Sequence, residues 1–205
     1  MEQDLTSHWE TIYRSKPDET LSWHQAFPGL SYRLIRQYAR PGSSVMDAGG
    51  GSSALIGMLA KEGFAPCMVI DLSQAALDRA RERLEPSIRD RIEWRAADLL
   101  GMPQLPSFDV WHDRAVFHFL SEPAQRAAYV ALAGRTVRPG GIAIVGAFHL
   151  EGPEKCSGLP VQRYGAESLA KEFESSFELV KAEQDVHSTP WGARQPFVYV
   201  VMKRR

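Results

Sequence analysis

The chain alternates short apolar runs with longer segments whose apolar residues recur at helical spacing. Runs of about five apolar residues bounded by turn residues predict buried strands, and apolar residues three and four apart predict helices packed by one face. The predicted strands are Val45–Asp47, Ala65–Asp71, Ile92–Ala96, Phe108–His112 and Ile142–Phe148, and the predicted helices include Gln74–Leu84, Pro123–Val137 and Ala166–Ser175. This alternation predicts a mostly parallel sheet covered by helices on both faces.

The end of the chain departs from the alternating order. The turn 138–141 separates a helix from the fifth strand, and two further strands, Phe177–Glu183 and Phe197–Met202, follow the last helix. A closing hairpin of this kind makes the last strand antiparallel. The prediction is therefore an α/β fold, a doubly wound, Rossmann-like sheet of seven strands, mostly parallel, with an antiparallel last strand.

Length and composition predict a single domain. The chain has 205 residues, no internal repeat and no linker rich in proline, glycine or serine. We expect one domain over 1–205, with an N-terminal helical lid at 1–40 and the sheet-forming core at 41–205.

Charge and cysteine content narrow the class of partner. The formal net charge is −1, and no basic stripe interleaved with aromatic residues is present, so nucleic acid is not an expected partner. No apolar run reaches bilayer length, the acidic start 1–4 lacks a secretory pattern, and Cys67 and Cys156 offer neither a disulfide framework nor zinc spacing. We expect a cytoplasmic protein with no membrane contact and no metal; the oligomeric state stays open.

The segment Asp47-Ala48-Gly49-Gly50-Gly51 joins the first strand to a helix. Glycines allow a tight turn and let a ligand lie against the main chain. The loose pattern also satisfies the dinucleotide fingerprint, but Asp47 would repel a pyrophosphate and attract the ammonium and sulfonium of S-adenosylmethionine. We therefore favour this methyl donor over NAD.

Two more acidic residues end the next strands. Asp71, followed by Leu72, ends the second strand, where a carboxylate can accept both hydroxyls of a ribose. Asp98 follows the third strand, where an oxygen can accept the amine of adenine while Leu99 packs near the ring; the alternative is a helix cap. The ordered set of three carboxylates predicts a nucleoside site.

With this set the chain resembles the class I S-adenosylmethionine-dependent methyltransferases over residues 41–205. Asp47-x-Gly49-x-Gly51 matches their glycine motif, Asp71 their ribose position and Asp98 their adenine position. Ser53 stands where the family often has a third glycine. The resemblance implies S-adenosylmethionine as cofactor and S-adenosylhomocysteine as its product.

The acceptor side of such a site would involve the N-terminal segment and the loops after the fourth and fifth strands. Trp9, Tyr13, Trp23 and His24 are expected to cover a dry substrate site, or else to pack as a hydrophobic cover.

The segment after the fourth strand carries the candidate catalytic residues. They are His112, Asp113, Arg114 and His118. His112 and His118 are candidate proton acceptors, His112 is also expected to lie beside the cofactor, and Arg114 is a candidate anchor for an anionic acceptor. The alternatives are an internal Asp113–Arg114 ion pair and packed histidines.

The long connection 149–164 supplies candidate substrate-binding residues, since long loops in compact domains are commonly functional. They are His149, Cys156, Arg163 and Tyr164. The alternative is that Cys156 packs as a small apolar side chain and Arg163 binds loop carbonyls.

A fainter resemblance, to thiopurine methyltransferases, rests on Trp9, His24-Gln25 and Asp113-Arg114. It favours a thiol or sulfide acceptor. The predicted function is methyl transfer from S-adenosylmethionine to a small-molecule nucleophile, with lysine methylation of proteins as the alternative and an NAD-dependent or non-catalytic nucleotide-binding protein as a distant one.

Overall fold

The computed structural model describes residues 4–102 and 104–205, so residues 1–3 of the acidic start lie outside the described residues. Nine strands lie in these ranges: β1 Val45–Ala48, β2 Cys67–Asp71, β3 Ile92–Ala96, β4 Phe108–Arg114, β5 Val137–Phe148, β6 Lys155–Cys156, β7 Leu159–Pro160, β8 Phe177–Ser188 and β9 Arg194–Arg204. The helices are α1 Leu5–Ser15, α2 Gly29–Tyr38, α3 Leu55–Lys61, α4 Gln74–Glu82, α5 Pro86–Arg89, α6 Pro123–Thr136 and α7 Ala166–Glu172. Short 3₁₀ turns occupy Asp18–Thr20, Leu99–Gly101 and Phe117–Phe119.

Within the described residues, one sheet has seven strands in the order β3-β2-β1-β4-β5-β9-β8. Strands β1 to β5 run parallel, and β9 lies antiparallel between β5 and β8. This confirms the predicted α/β, Rossmann-like sheet with an antiparallel last strand. The order reverses at β1, whose two neighbours β2 and β4 lead away in opposite directions, and ligands of open sheets bind at such a point.

The core lies on both faces of the sheet because successive strand residues point to opposite sides. Met46 and Trp111 pack on one face beneath α6 and α7, whereas Val45 and Val110 pack on the other beneath α2 and α3. A third cluster joins α1 to α4 through Ile12, Leu21 and Ala76. None of the described helices is long and apolar enough to span a bilayer.

The structure differs from the sequence prediction at element ends. The predicted turn 138–141 loops out of β5, because Phe108 pairs with Val137 and Val110 already pairs with Ile142. Strands β8 and β9 extend beyond their predicted ends to Ser188 and from Arg194, since mutual pairing continues past the apolar stretch. Helix α4 is confirmed with its cap, as the Ser73 hydroxyl accepts from the Ala76 amide.

Candidate active site

The glycine loop lies at the carboxyl end of β1, at the point where the strand order reverses. Gly49 and Gly51 have φ angles of +64° and +55°, in the left-handed region that favours glycine. A Cβ on Gly50 would lie 2.6 Å from Val69 and 2.7 Å from the Asp47 carboxylate. The loop therefore presents bare main chain over a buried carboxylate.

Asp71 lies beside this loop at the end of β2. Its carboxylate accepts from the Gly51 amide at 2.9 Å and from the Ser73 amide at 2.9 Å. Burial raises the pKa of Asp71 to about 6, although these amides act in the opposite direction. Leu72 is partly buried directly behind it.

Asp98 and Leu99 follow β3. The Asp98 side chain is exposed and accepts from the Leu100 amide at 2.9 Å, which is the cap that the alternative interpretation predicted. Leu99 is buried in the core, as is Ala48 of the glycine motif. Their predicted contacts with a nucleoside stay predictions.

The N-terminal segment covers the glycine loop. A Cβ on Gly51 would lie 2.5 Å from the Tyr13 hydroxyl, which accepts a hydrogen bond from the Trp23 indole at 3.1 Å. Trp9 contacts Trp23 and Phe119 edge to face, with ring centroids 5.5 Å and 5.3 Å away. These aromatic side chains therefore cover the loop.

Polar contacts fasten this segment to α4. Glu10 accepts from the Ser73 hydroxyl at 2.8 Å and from the Ala75 amide at 3.1 Å. The buried Asp18 pairs with Arg79 at 2.8 Å and with Arg83 at 2.7 Å. The segment is thus held by both apolar and ionic contacts.

His112 forms a buried chain of hydrogen bonds with two other elements. Its Nδ1 lies 2.7 Å from Asp47 Oδ1 on β1, and its Nε2 lies 2.9 Å from the Ser31 hydroxyl on α2. The exposed fractions of His112, Asp47 and Ser31 are 3%, 2% and 1%. Sequence reasoning missed Ser31; its one signal is a serine on the apolar face of α2, three and four residues before the buried Leu34 and Ile35.

Arg114 approaches the same region from the end of β4. Its Nε donates to the Tyr199 hydroxyl at 3.1 Å and its Nη1 to the Trp23 carbonyl at 3.1 Å, and the guanidinium lies over the Phe197 ring at 4.7 Å. Its buried Nη2 has no hydrogen-bond partner among the described residues. None of the ion pairs among residues 4–102 and 104–205 includes Arg114, so its charge is unpaired.

The Asp113–Arg114 ion pair, which was the alternative to a catalytic role, is not formed, because neighbouring strand residues point to opposite faces. Asp113 accepts from the Tyr129 hydroxyl at 2.5 Å and from the amides of Val116 and Phe117 at 2.9 and 3.0 Å. Burial raises its pKa to about 6. Asp113 therefore holds the turn after β4 and lies away from the cleft.

One cleft joins the glycine loop, the N-terminal segment and β4, with a cavity volume of about 70 Å³. Eight of the predicted site residues line it: Tyr13, Trp23, His24, Asp47, Gly49, Gly50, His112 and Arg114. Gln25, beside His24, and Ser31 line it as well. The cleft thus combines aromatic side chains, one buried hydrogen-bonded histidine and one unpaired cation.

Two other predicted residues are buried elsewhere. His118 packs between Phe119 and Phe148, and burial, followed by the Arg114 charge, lowers its pKa to about 3. Cys156 packs in the apolar cluster on the α2 face, where burial raises the pKa of its thiol to about 12. A weakly basic histidine and a protonated thiol outside the cleft do not fit the predicted chemistry.

The remaining loop residues also lie outside the cleft. His149 contacts the exposed Glu151 and Gln184, and Arg163 donates to the Gly152 carbonyl and pairs with Glu154, as the alternative predicted. Tyr164 is buried against Phe117. The long connection packs on its own residues and the core, which its length did not reveal.

Comparisons with known proteins agree with this geometry. Residues 45–141 match the model of a family described as a methyltransferase domain. No curated protein matches the sequence. Among solved structures, the N-methyltransferase NodS of Bradyrhizobium japonicum WM9, in complex with S-adenosylhomocysteine, is 18% identical with a TM-score of 0.73, over 98% of this chain and 99% of that one.

Two further structures cover nearly the whole chain. The 1,6-didemethyltoxoflavin-N1-methyltransferase of Burkholderia thailandensis, with bound 1,6-didemethyltoxoflavin and S-adenosylhomocysteine, is 17% identical with a TM-score of 0.73, over 98% of this chain and 85% of that one. A third structure is described as the conversion of a disulfide bond into a thioacetal group during echinomycin biosynthesis. It is 19% identical with a TM-score of 0.77, over 98% of this chain and 92% of that one. At these identities the likeness establishes the fold.

Proposed function

Since the chain is a class I S-adenosylmethionine-dependent methyltransferase, we propose that it methylates the sulfur of a small, anionic thiol or sulfide. The observation that carries the proposal is the guanidinium of Arg114, which has no anionic partner among the described residues and is held at the aromatic cleft beside the glycine loop.

The residues of the cleft fit the cofactor. Once Tyr13 and Trp23 are displaced, the main chain at Gly49–Gly51 would admit a ligand, and Asp71, bonded to the Gly51 amide beside the cleft, would present a carboxylate to the hydroxyls of a ribose. Asp47 places a second carboxylate beneath Gly50, where it favours a cationic ligand. When bound, S-adenosylmethionine supplies an electrophilic methyl group on a sulfonium.

The cleft must open before this cofactor enters. A cavity of about 70 Å³ is well below the roughly 300 Å³ that pockets for ligands of this size reach. Tyr13 touches Gly51 and is hydrogen-bonded to Trp23, so these two side chains occupy the space over the loop. Their displacement makes room for the nucleoside, and their rings then exclude water from the reacting groups.

The surroundings of Arg114 favour an anion. After burial, the Arg114 charge is the second cause that lowers the pKa of His187 and of His118. The Tyr199 hydroxyl, the Trp23 carbonyl and the Phe197 ring hold the guanidinium in place. A carboxylate or thiolate would supply the missing partner of Nη2.

Sulfur is supported as the acceptor atom by the neighbour that converts a disulfide bond into a thioacetal group and by the match to thiopurine methyltransferases at Trp9, His24-Gln25 and Asp113-Arg114. Nitrogen is the second candidate, because two of the neighbours are N-methyltransferases. The cationic Arg114 opposes the binding of a protein lysine, and Asp47 opposes the pyrophosphate of NAD.

The test is a methylation assay with 3-mercaptopropionate, its neutral amide and the matching amine β-alanine. We expect both thiols to be methylated, with a lower KM for 3-mercaptopropionate, which carries a carboxylate, than for its neutral amide. Arg114→Met should raise KM for 3-mercaptopropionate by about 10- to 100-fold, the value of a hydrogen bond to a charged group, and leave the neutral amide little changed.

Arg163→Met is the matched control, since Arg163 is a partly buried arginine outside the cleft. It should leave both KM values unchanged. Methylation of the amine alone would replace sulfur by nitrogen, and tighter binding of NAD than of S-adenosylhomocysteine in calorimetry would overturn the assignment of the cleft.

Binding of S-adenosylhomocysteine should strengthen with rising pH. A carboxylate accepts two hydroxyls only when ionised, and burial raises the pKa of Asp71 to about 6 in the free protein. At pH 5 most Asp71 is protonated and a proton must leave, so we expect affinity about tenfold lower at pH 5 than at pH 7. Calorimetry across this range measures it; Asp71→Asn should flatten the profile, and an unchanged profile in that variant would assign the titration to another group.

A further inference from the structure

We propose that Ser31, His112 and Asp47 form a proton relay at the base of the cleft, through which the acceptor loses its proton. The inference rests on the proposed function and narrows it to thiols, because a thiol has an S–H proton to remove and an organic sulfide (a thioether) has none. Each of the three residues comes from a different element, α2, β4 and β1.

The hydrogen bonds determine the direction of the relay. A carboxylate only accepts, so His112 Nδ1 donates its proton to Asp47 Oδ1 across 2.7 Å. The neutral imidazole then carries its lone pair on Nε2, and the Ser31 hydroxyl donates to it across 2.9 Å. Asp47 is a positioning residue, which selects this tautomer and stabilises the imidazolium when it forms.

The Ser31 oxygen is the end of the relay that meets the acceptor. Its single proton is engaged with His112, so its lone pairs are free to accept a hydrogen bond from a ligand. Ser31, His112 and Asp47 all line the cleft together with Arg114. An anionic molecule held by Arg114 therefore has a hydrogen-bond acceptor within the same cavity.

The acceptor loses its proton to the relay before the methyl group is transferred. The S–H bond of the thiol breaks and its electron pair stays on sulfur, while the proton passes to Ser31 Oγ and the hydroxyl proton of Ser31 passes to His112 Nε2. The electron pair on the thiolate sulfur then forms a bond to the methyl carbon of S-adenosylmethionine. The bond between that carbon and the sulfonium sulfur breaks, and its electron pair stays on the sulfur of S-adenosylhomocysteine. The imidazolium returns its proton to solvent through Ser31 after the products leave.

The charged and titratable groups around His112 suit this role. Asp47 accepts from it, Asp113 follows it on β4 but points to the other face, and Arg114, His24 and Tyr13 line the cleft. The buried His118 cannot replace it, because burial lowers its pKa to about 3 and it lies outside the cleft. The relay is thus a basic group at the base of the cleft, held by buried hydrogen bonds, and His24 is the other imidazole among the lining residues.

The kinetic test uses two carboxylated thiols of different acidity at pH 7.5, 4-mercaptobenzoate, which is largely ionised, and 3-mercaptopropionate, which is largely protonated. Ser31→Ala should lower kcat for the protonated thiol by roughly 100-fold and for the ionised thiol by about threefold or less. A purely structural role of Ser31 would lower both by the same factor, and that outcome overturns the relay.

Ser44→Ala is the matched control. Ser44 is equally buried, but its hydroxyl binds Asp109 at the opposite end of the sheet. Ser44→Ala should leave the ratio of the kcat values for 3-mercaptopropionate and 4-mercaptobenzoate as it is in the wild-type protein. If the wild-type protein methylates neither thiol, the proposed function fails, and the relay is then decided by the second measurement.

The second measurement is nitrogen-15 NMR of His112 in the complex with S-adenosylhomocysteine, assigned by comparison with His112→Gln. The relay requires a protonated Nδ1 and an unprotonated Nε2, whose resonance shifts in Ser31→Ala. A tautomer with the proton on Nε2 would leave no lone pair facing Ser31 and would overturn the proposal whatever the acceptor proves to be.

Discussion

An Asp71→Ala variant is expected to bind S-adenosylhomocysteine at least about 100-fold more weakly than the wild-type protein, because two hydrogen bonds from ribose hydroxyls to a charged acceptor are lost. The carboxylate also accepts from the amides of Gly51 and Ser73, so its loss loosens the glycine loop as well. Isothermal titration calorimetry measures the affinity.

Asp98→Ala is the matched control for this prediction. Asp98 also ends a strand at this edge of the sheet, but its side chain is exposed and caps a short 3₁₀ turn. We expect a loss of about tenfold or less, the value of one exposed hydrogen bond. If the two variants lost the same affinity for S-adenosylhomocysteine, or if Asp71→Ala lost none, the assignment of Asp71 to the ribose would be contradicted.

An Asp113→Ala variant is expected to lose about 3 to 5 kcal/mol of unfolding free energy, since its removal leaves the buried Tyr129 hydroxyl, the buried Phe117 amide and the partly buried Val116 amide without an acceptor. The turn that it holds follows Ala115, which has a φ of +71° and is strained for a residue with a side chain. Urea denaturation with a two-state fit measures the change.

Tyr129→Phe separates the contributions within this cluster. It removes one donor and keeps the carboxylate bonded to the amides of Val116 and Phe117, so we expect a loss of about 1 kcal/mol. If Asp113→Ala instead kept wild-type stability and lost activity, Asp113 would act in catalysis, as the sequence analysis first suggested.

The fold was predictable because its signals are local and repeated. Strands β2 and β5 contain apolar runs at Cys67–Ile70 and Ile142–Phe148, and Ser73 caps α4 as its position indicates. The antiparallel β9 was predicted from the pair of strands at the end of the chain and is confirmed. Element ends were less accurate where pairing rather than apolar content extends a strand, as at Ser188 and Arg194.

The candidate site was predictable to the extent that strand ends define it. Asp47, Asp71 and His112 lie at the carboxyl ends of adjacent parallel strands, so their sequence positions already place them at one edge of the sheet. The loop residues Cys156 and Tyr164 had no such constraint, and the structure places both in the core.

The sequence by itself determined the alternating β/α order, the glycine loop and the carboxylates at the strand ends, because these depend on residue type and spacing along a regular element. Only the tertiary structure decided that His112 lies between Asp47 and Ser31, that β4 extends to Arg114, and that Arg114 has no anionic partner among the described residues. The physical reason is that a side chain on α2 meets one on β4 only through the packing of helix on sheet, which chain spacing does not encode.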